Sequence, residues 1–231
     1  MTWGIIGAMD SEVALLRESM EIERTEEISG LTYYIGTLCG QRVIVVCCSI
    51  GKVNAAICAQ TLAAVFKVDR LVNVGVAGAL DERLHIFDVV VSEKLCYHDA
   101  DLDIFGRNPP FLSEYTADEE MVGLAMRACE RIAGDTFRYF GGRIVSGDRF
   151  VSENAEKKRI VEQFHPMCVE MEGAAVGHVA AANRIPFVVL RSMSDGADDN
   201  AGVSFDEFAP KAAEHSARLI MEILKLAGET H

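Results

Sequence analysis

Three places in the chain put carboxylates where structural needs alone would not ask for them. Glu12 follows an apolar run at 3–8 and falls in the first turn of a helix beginning near Asp10. Glu170 and Glu172 flank Met171 between the stretch FHPMCV and the small-residue stretch GAAVGHVAAA. A strand entering such a tightly packed helix buries what it carries, and a buried carboxylate is costly unless paired. Asp195 ends the run PFVVLRSMSD, at the carboxyl end of a strand, where open α/β sheets place ligands. Arg191, inside the same run, needs a carboxylate or a bound oxygen if it is buried. Together these groups fit glycosyl cleavage, which wants one acid for the leaving group, one carboxylate to activate water and a grip on sugar hydroxyls. Burial would raise the pKa of the acid enough to keep it protonated near neutrality. Bland uses stay open for each: Glu12 as a complement to the helix dipole, the 170/172 pair as one solvated strand face, Asp195 as a turn or cap residue.

The elements that must position these groups read as a layered α/β chain. Apolar or β-branched runs at 3–8, 32–38, 42–49, 71–76, 87–93, 139–146, 168–171 and 186–194 predict strands, several buried on both faces. Helical spacing of Met121, Leu124, Ala125, Ala128, Cys129 and Ile132, and of Phe208, Ala212, Leu219 and Ile223, predicts helices between and after them. Ser204 and Glu207 have the form of a capping box that would start the last helix. Cys39-Gly40-Gln41 between the second and third runs predicts a hairpin, so the sheet is expected to be mixed. The expectation is one three-layer αβα sandwich over 1–231, with an irregular stretch at 98–118.

Composition narrows the function. The chain has 231 residues, 35 acidic and 22 basic side chains and a formal net charge of -13, with no Lys/Arg cluster for a nucleic-acid backbone. Seven cysteines without a CxxC pair read as small buried hydrophobes in a reducing compartment. The start MTWGIIGAMDSE has no secretory pattern, and no apolar run approaches the roughly 20 residues of a membrane span, so a cytoplasmic location is expected. Gly4-Ile-Ile-Gly7 and Gly75-Val-Ala-Gly78 lack dinucleotide spacing, and Gly51-Lys52 lacks the Walker residues around it. His98, Asp99, Asp101 and Asp103 suggest a cation loop, but Ile104 and Pro110 stand where an EF-hand needs Gly and Glu; a solvated acidic loop is expected. His178, in an apolar stretch, is expected to be a satisfied core histidine.

The motifs GIIGAMDSEVALL, SIGKVNAA, VVVSEKLCYHDAD, IVSGDRFV, VEMEGAAVGHVA, VLRSMSDGAD and SFDEF, in this order over nearly the whole chain, resemble the 5′-methylthioadenosine/S-adenosylhomocysteine nucleosidases of the purine nucleoside phosphorylase-like superfamily. The resemblance implies that Glu12 activates the attacking water and Asp195, supported by Ser194, protonates adenine at N-7. It implies that Met171 and Glu172 hold the ribose, that Arg191 lies near the water and that Phe150 and Val151 form the adenine platform. Met9, Ile50 and Phe205 would line the pocket for the 5′-thio group, and Phe105 would reach a neighbouring site across a homodimer interface. No cofactor and no metal are implied. Two departures stand out. Asn73-Val-Gly-Val-Ala-Gly-Ala79 replaces the usual NTGSAGG, so Val76 removes a hydroxyl from the ribose and water side. The stretch after Phe105 is GRNPPFLSEY, without the GQxPG-like segment that shapes the 5′ end of the pocket. Hydrolysis of 5′-thioadenosine nucleosides is the expected activity. A purine nucleosidase or phosphorylase acting on another base or 5′ group, and a non-catalytic nucleoside-binding protein, are the alternatives.

Overall fold

The computed structural model describes residues 1–134 and 136–229; Asp135, Thr230 and His231 of the unit expected over 1–231 lie outside them. The strands are β1 (Thr2–Gly7), β2 (Glu21–Ile28), β3 (Leu31–Leu38), β4 (Gln41–Cys47), β5 (Arg70–Ala79), β6 (Val89–Tyr97), β7 (Tyr115–Thr116), β8 (Tyr139–Ser146), β9 (Cys168–Glu170) and β10 (Phe187–Asp195). The helices are α1 (Asp10–Ser19), α2 (Lys52–Ala64), α3 (Leu102–Arg107), α4 (Glu119–Ala133), α5 (Asn154–Phe164), α6 (Gly173–Asn183) and α7 (Ala201–Glu229).

All of these strands join in one mixed sheet, in the order β10-β6-β8-β9-β5-β1-β4-β3-β2, with β7 added to β6. The unbroken apolar runs are explained by helices on both faces. Ile6, Ile44 and Val46 pack with Ala55, Cys58 and Ala59 of α2 and Ala174 and Ala175 of α6. The alternate residues Ile5, Val43 and Val45 pack with Val13 and Leu16 of α1, Leu124 of α4 and Ile220 of α7. This is the period of two that a strand imposes, with both phases apolar. The mixed αβα sandwich is therefore as expected.

Strand β10 also pairs with β5, and β9 bridges β5 and β8. The strands β5, β10, β6, β8 and β9 thus close on one another. The closure draws the carboxyl ends of β5, β9 and β10 together. Register along β10 slips between Met193 and Asp195, which is paired with Gly78. Such a bulge re-aims the side chain at its end.

One strand was not expected, and two expectations need correction. The hairpin is present, with Leu38 opposite Gln41 and positive φ at both Cys39 (50°) and Gly40 (76°), the geometry of a two-residue turn. Ahead of it, however, lies β2, an edge strand of sequence EIERTEEI that is mostly exposed. With neither face buried it carries no alternating apolar signal. Helix α7 starts at Ala201, so Ser204 and Glu207 sit inside its first turns, and the Ser204 amide already donates to Asn200 O at 3.1 Å. The irregular 98–118 stretch contains α3 and β7, each too short for periodicity to show.

Edge pairing also makes a testable demand. A Cβ on Gly36 would lie 2.0 Å from the carbonyl oxygen of Glu21 on β2, a contact that only backbone movement could relieve. Gly36→Ala is expected to cost about 1–3 kcal/mol, read as a fall in Tm of about 3–10 °C. Gly123→Ala, in the middle of α4 with only Arg127 Nη1 at 3.5 Å, should leave Tm unchanged or raise it slightly. Equal losses in both would show that the crowding at Gly36 does not matter.

Candidate active site

Glu12 lies in the first turn of α1, where backbone amides have no partner within the helix. Its Oε2 accepts from the amides of Ala8 (2.6 Å) and Met9 (2.9 Å), and its Oε1 from the amide of Val76 on β5 (3.0 Å). The side chain is buried, and burial raises its pKa above 4.5 against the opposing pull of Arg191 and the three amides. The space it occupies exists because position 75 is glycine. A Cβ there would lie 2.4 Å from Glu12 Oε1 and 2.2 Å from Arg191 Nη1.

Arg191 sits within β10 and is 1 % exposed. Its Nη2 donates to Glu170 and to Asn73 Oδ1 and lies 3.5 Å from Glu172 Oε2. Glu170, at the end of β9, also accepts from the amides of Glu172 (2.9 Å) and Gly173 (2.7 Å), and from the Ser146 hydroxyl. It therefore ties the start of α6 to the arginine. Glu172 Oε1 accepts from the Gly51 amide at 2.8 Å. Burial, reinforced by Glu170 and Glu12 and resisted by Arg191, pushes the Glu172 carboxyl up to about 7.

Asp195 follows the bulge in β10. Its Oδ2 accepts from the Ser194 hydroxyl (2.9 Å) and its Oδ1 from the Ala197 amide (2.8 Å). It too is buried, and burial raises its pKa above 3.8 despite those two donors. Glu12 is tied to Val76 and Asp195 is paired with Gly78, so their anchor points are two residues apart on β5, about 7 Å along a strand.

Both face one cleft of about 660 Å³. Met9, Ile50, Val76, Phe150, Met171, Glu172, Ser194 and Phe205 line it with Glu12 and Asp195. The Phe150 and Phe205 rings in its lining meet edge to face at 5.6 Å. Val151 lies in a small adjoining recess with Gly78, Phe150 and Asp195. Two expected residues stand apart: Arg191 is set behind Glu170 and Glu172, and Phe105, on α3, packs against Tyr97 (5.0 Å) and His178 (5.6 Å) of its own chain. Asn73, Ser146 and the anchoring use of Glu170 were not singled out from the sequence. Asn73 alone carried a signal, as the one uncharged polar side chain in the otherwise apolar run of β5.

The Val76 departure takes a different meaning in three dimensions. Its amide serves Glu12, while its side chain packs with Ala209, Ala212 and Ala213 of α7. In the acidic stretch, Asp99 pairs with Lys52 and Asp101 caps α3 through the Asp103 amide. Among the described residues no group of three or more His, Cys, Asp or Glu side chains is placed to hold a metal ion. His178 is partly buried, its Nδ1 3.2 Å from the Tyr97 hydroxyl and its ring stacked on Tyr115.

Comparison with known proteins agrees with this geometry. The phosphorylase superfamily model matches residues 2–225. A 5′-methylthioadenosine/S-adenosylhomocysteine nucleosidase of Treponema pallidum (strain Nichols) is 40% identical, over 97% of this chain and 93% of its own. One from Staphylococcus carnosus (strain TM300) is 37% identical, over 96% and 98%. Among solved structures, the Neisseria meningitidis nucleosidase in complex with methylthio-immucillin-A matches with a TM-score of 0.91 at 37% identity, covering 97% of this chain and 98% of that one. The futalosine hydrolase of Helicobacter pylori strain 26695 matches with a TM-score of 0.89 at 32% identity, over 96% and 97%. By its sheet, its paired carboxyls and these full-length likenesses, the chain belongs to the phosphorylase superfamily and, within it, to the 5′-methylthioadenosine/S-adenosylhomocysteine nucleosidases.

Proposed function

We propose that this chain, as a single-domain enzyme, hydrolyses the N-glycosidic bond of 5′-methylthioadenosine and S-adenosylhomocysteine, releasing adenine and the thioribose. The observation that carries the reading is the pair of buried carboxyls, Glu12 and Asp195, anchored two residues apart on β5 and facing one cleft. With its pKa raised, Asp195 is suited to deliver a proton to N-7 of adenine as the C1′–N9 electrons move into the base. Glu12, held by three amides that favour its carboxylate, takes a proton from the water whose oxygen bonds to C1′. In this reading, which follows the family resemblance, Glu172 takes the ribose hydroxyls, Phe150 and Val151 the base, and Met9, Ile50 and Phe205 the thioether; all of them line the cleft or its adjoining recess. Val76 offers no hydroxyl and Glu12 repels an anion, so water rather than phosphate is the nucleophile.

The family resemblance carries a homodimer into the proposal, with Phe105 reaching the neighbouring site. Exposed Ile50 and Val53 on one segment, and Ile104, Phe111 and Leu112 on another, offer apolar surface for it. A cytoplasmic setting is supported by seven unpaired cysteines. No helix among the described residues is long and apolar enough to cross a membrane.

The reading is tested by adenine release from 5′-methylthioadenosine, followed chromatographically. Release in phosphate-free buffer is expected; release only with phosphate would make the chain a phosphorylase. Asp195→Asn should lower kcat by about 10²–10⁴-fold with folding preserved, and near-normal turnover would remove it as the acid. Glu12→Gln should still bind nucleoside while losing hydrolysis.

Stability should respond to Glu172 in the opposite sense. A carboxyl whose folded pKa is near 7 keeps its proton where the unfolded chain, near 4.5, has lost it. Its penalty grows from about pH 4.5 to 7 and is complete above. Arg191 remains matched by Glu170 without it. Glu172→Gln is therefore expected to raise Tm by about 2–6 °C at pH 8, with the gain vanishing towards pH 4.5. A loss at pH 8 by scanning calorimetry would mean that the second carboxylate stabilises Arg191 after all.

A further inference from the structure

The ribose and adenine ends of the cleft are built on two loops with no regular structure to hold them. One runs from β4 to α2 and contains Ser49 (φ 67°), Ile50 and Gly51 (φ 102°); the Gly51 amide holds Glu172. The other leaves β8 at Ser146 and carries Phe150 and Val151 before α5 begins. Between them lies Lys52, the first residue of α2, with its side chain only 19% exposed. Its Nζ donates to both carboxylate oxygens of Asp99, at 2.6 and 2.7 Å, and lies 3.4 Å from Asp148 Oδ2. It also sits 5.4 Å from the centre of the Tyr97 ring, on which Phe105 packs.

The backbone completes the knot. The Lys52 amide donates to Asp148 Oδ1 at 2.8 Å, and the Asp148 amide donates to Asp99 Oδ2 at 2.9 Å. One ammonium thus holds two carboxylates that would otherwise repel each other. The Asp99 carboxyl, although burial works to raise its pKa, is held below its ordinary value by Lys52 and the Asp148 amide. None of these three side chains lines the cleft.

We propose that Lys52, through Asp99 and Asp148, is a positioning residue for the reaction: it locks the loop that holds Glu172 to the loop that carries the adenine platform, and ties both to the segment bearing Phe105. Without the ammonium, Asp99 and Asp148 lose their shared counter-ion and repel each other. Only the Lys52 amide still holds the Asp148 carboxylate, so its loop loosens and Phe150 and Val151, two and three residues further on, shift with it. The ribose grip and the base platform then no longer present one preformed site, and the loss appears in substrate affinity rather than in the chemistry of Glu12 and Asp195.

The proposal rests on the nucleosidase reading, and its test is chosen so that the two fail separately. Lys52→Met and Asp99→Asn are expected to raise KM for 5′-methylthioadenosine about tenfold, the effect of losing one hydrogen bond to a charged group, with kcat changed less than about threefold. Because the two act as one unit, the double variant should be no worse than the poorer single. Lys52→Arg, which keeps the charge, should hold KM within about threefold of the parent. A merely structural contribution would lower Tm and the active fraction, and so kcat, while leaving KM unchanged. That result, or KM effects that multiply in the double variant, would overturn the proposal. Calorimetric titration with adenine alone reads the platform without hydrolysis. Weaker adenine binding in both single variants supports the lock even if no nucleoside is cleaved, and unchanged binding overturns it.

Discussion

A guanidinium inside a continuous β-strand, 1 % exposed, is the constraint around which this site is arranged. A charge so placed is tolerated only with close partners, and removing one partner of such a pair costs about 3–5 kcal/mol. Arg191 finds them in Glu170 and Asn73, and Glu170 in turn takes the first amides of α6 and the Ser146 hydroxyl. One cation therefore sets β5, β8, β9, β10 and the start of α6 in a common register. The same arrangement explains the proton affinity of the cleft. Glu170, Glu172 and Glu12 surround a single positive charge, so negative charge is in excess. Burial and that excess together raise Glu172, and Glu12 is raised by burial although Arg191 and three amides pull the other way.

The backbone supplies much of what the side chains do not. Val76 occupies a position where the family resemblance implies a hydroxyl, yet the contact that fixes Glu12 comes from its amide, which any residue other than proline could offer. Its side chain is free to serve packing against three alanines of α7. A substitution that looks like the loss of a functional group is, in the folded chain, an exchange of a polar wall for an apolar one beside an intact carboxylate.

Much of this was legible in the sequence, for identifiable reasons. The buried strands announced themselves because both of their faces meet helices, as the Val43–Val46 run shows. Glu12, Glu172 and Asp195 stood out because carboxylates at the ends of apolar runs are out of place. Glu170 was legible only as a partner to Glu172, since its anchoring role depends on Ser146 and Arg191, 24 and 21 residues away. The start of α7 was misplaced because a capping-box pattern marks where a helix could begin, while the preceding turn at Asn200 had already begun it. Strand β2 stayed hidden because its pairing partner, not its own pattern, makes it a strand.

That last strand has a role beyond completing the sheet. A ten-stranded sheet with an open margin is a template on which other extended chains can add, the usual beginning of aggregation. Here the outermost strand reads EIERTEEI, with four glutamates, and carries a register slip between Ile22 and Arg24. An approaching strand would meet like charge from any copy of this acidic chain and an irregular ladder of amides. The cost of growing the sheet by one more strand is set at that margin, by charge and irregular pairing rather than by a covering element.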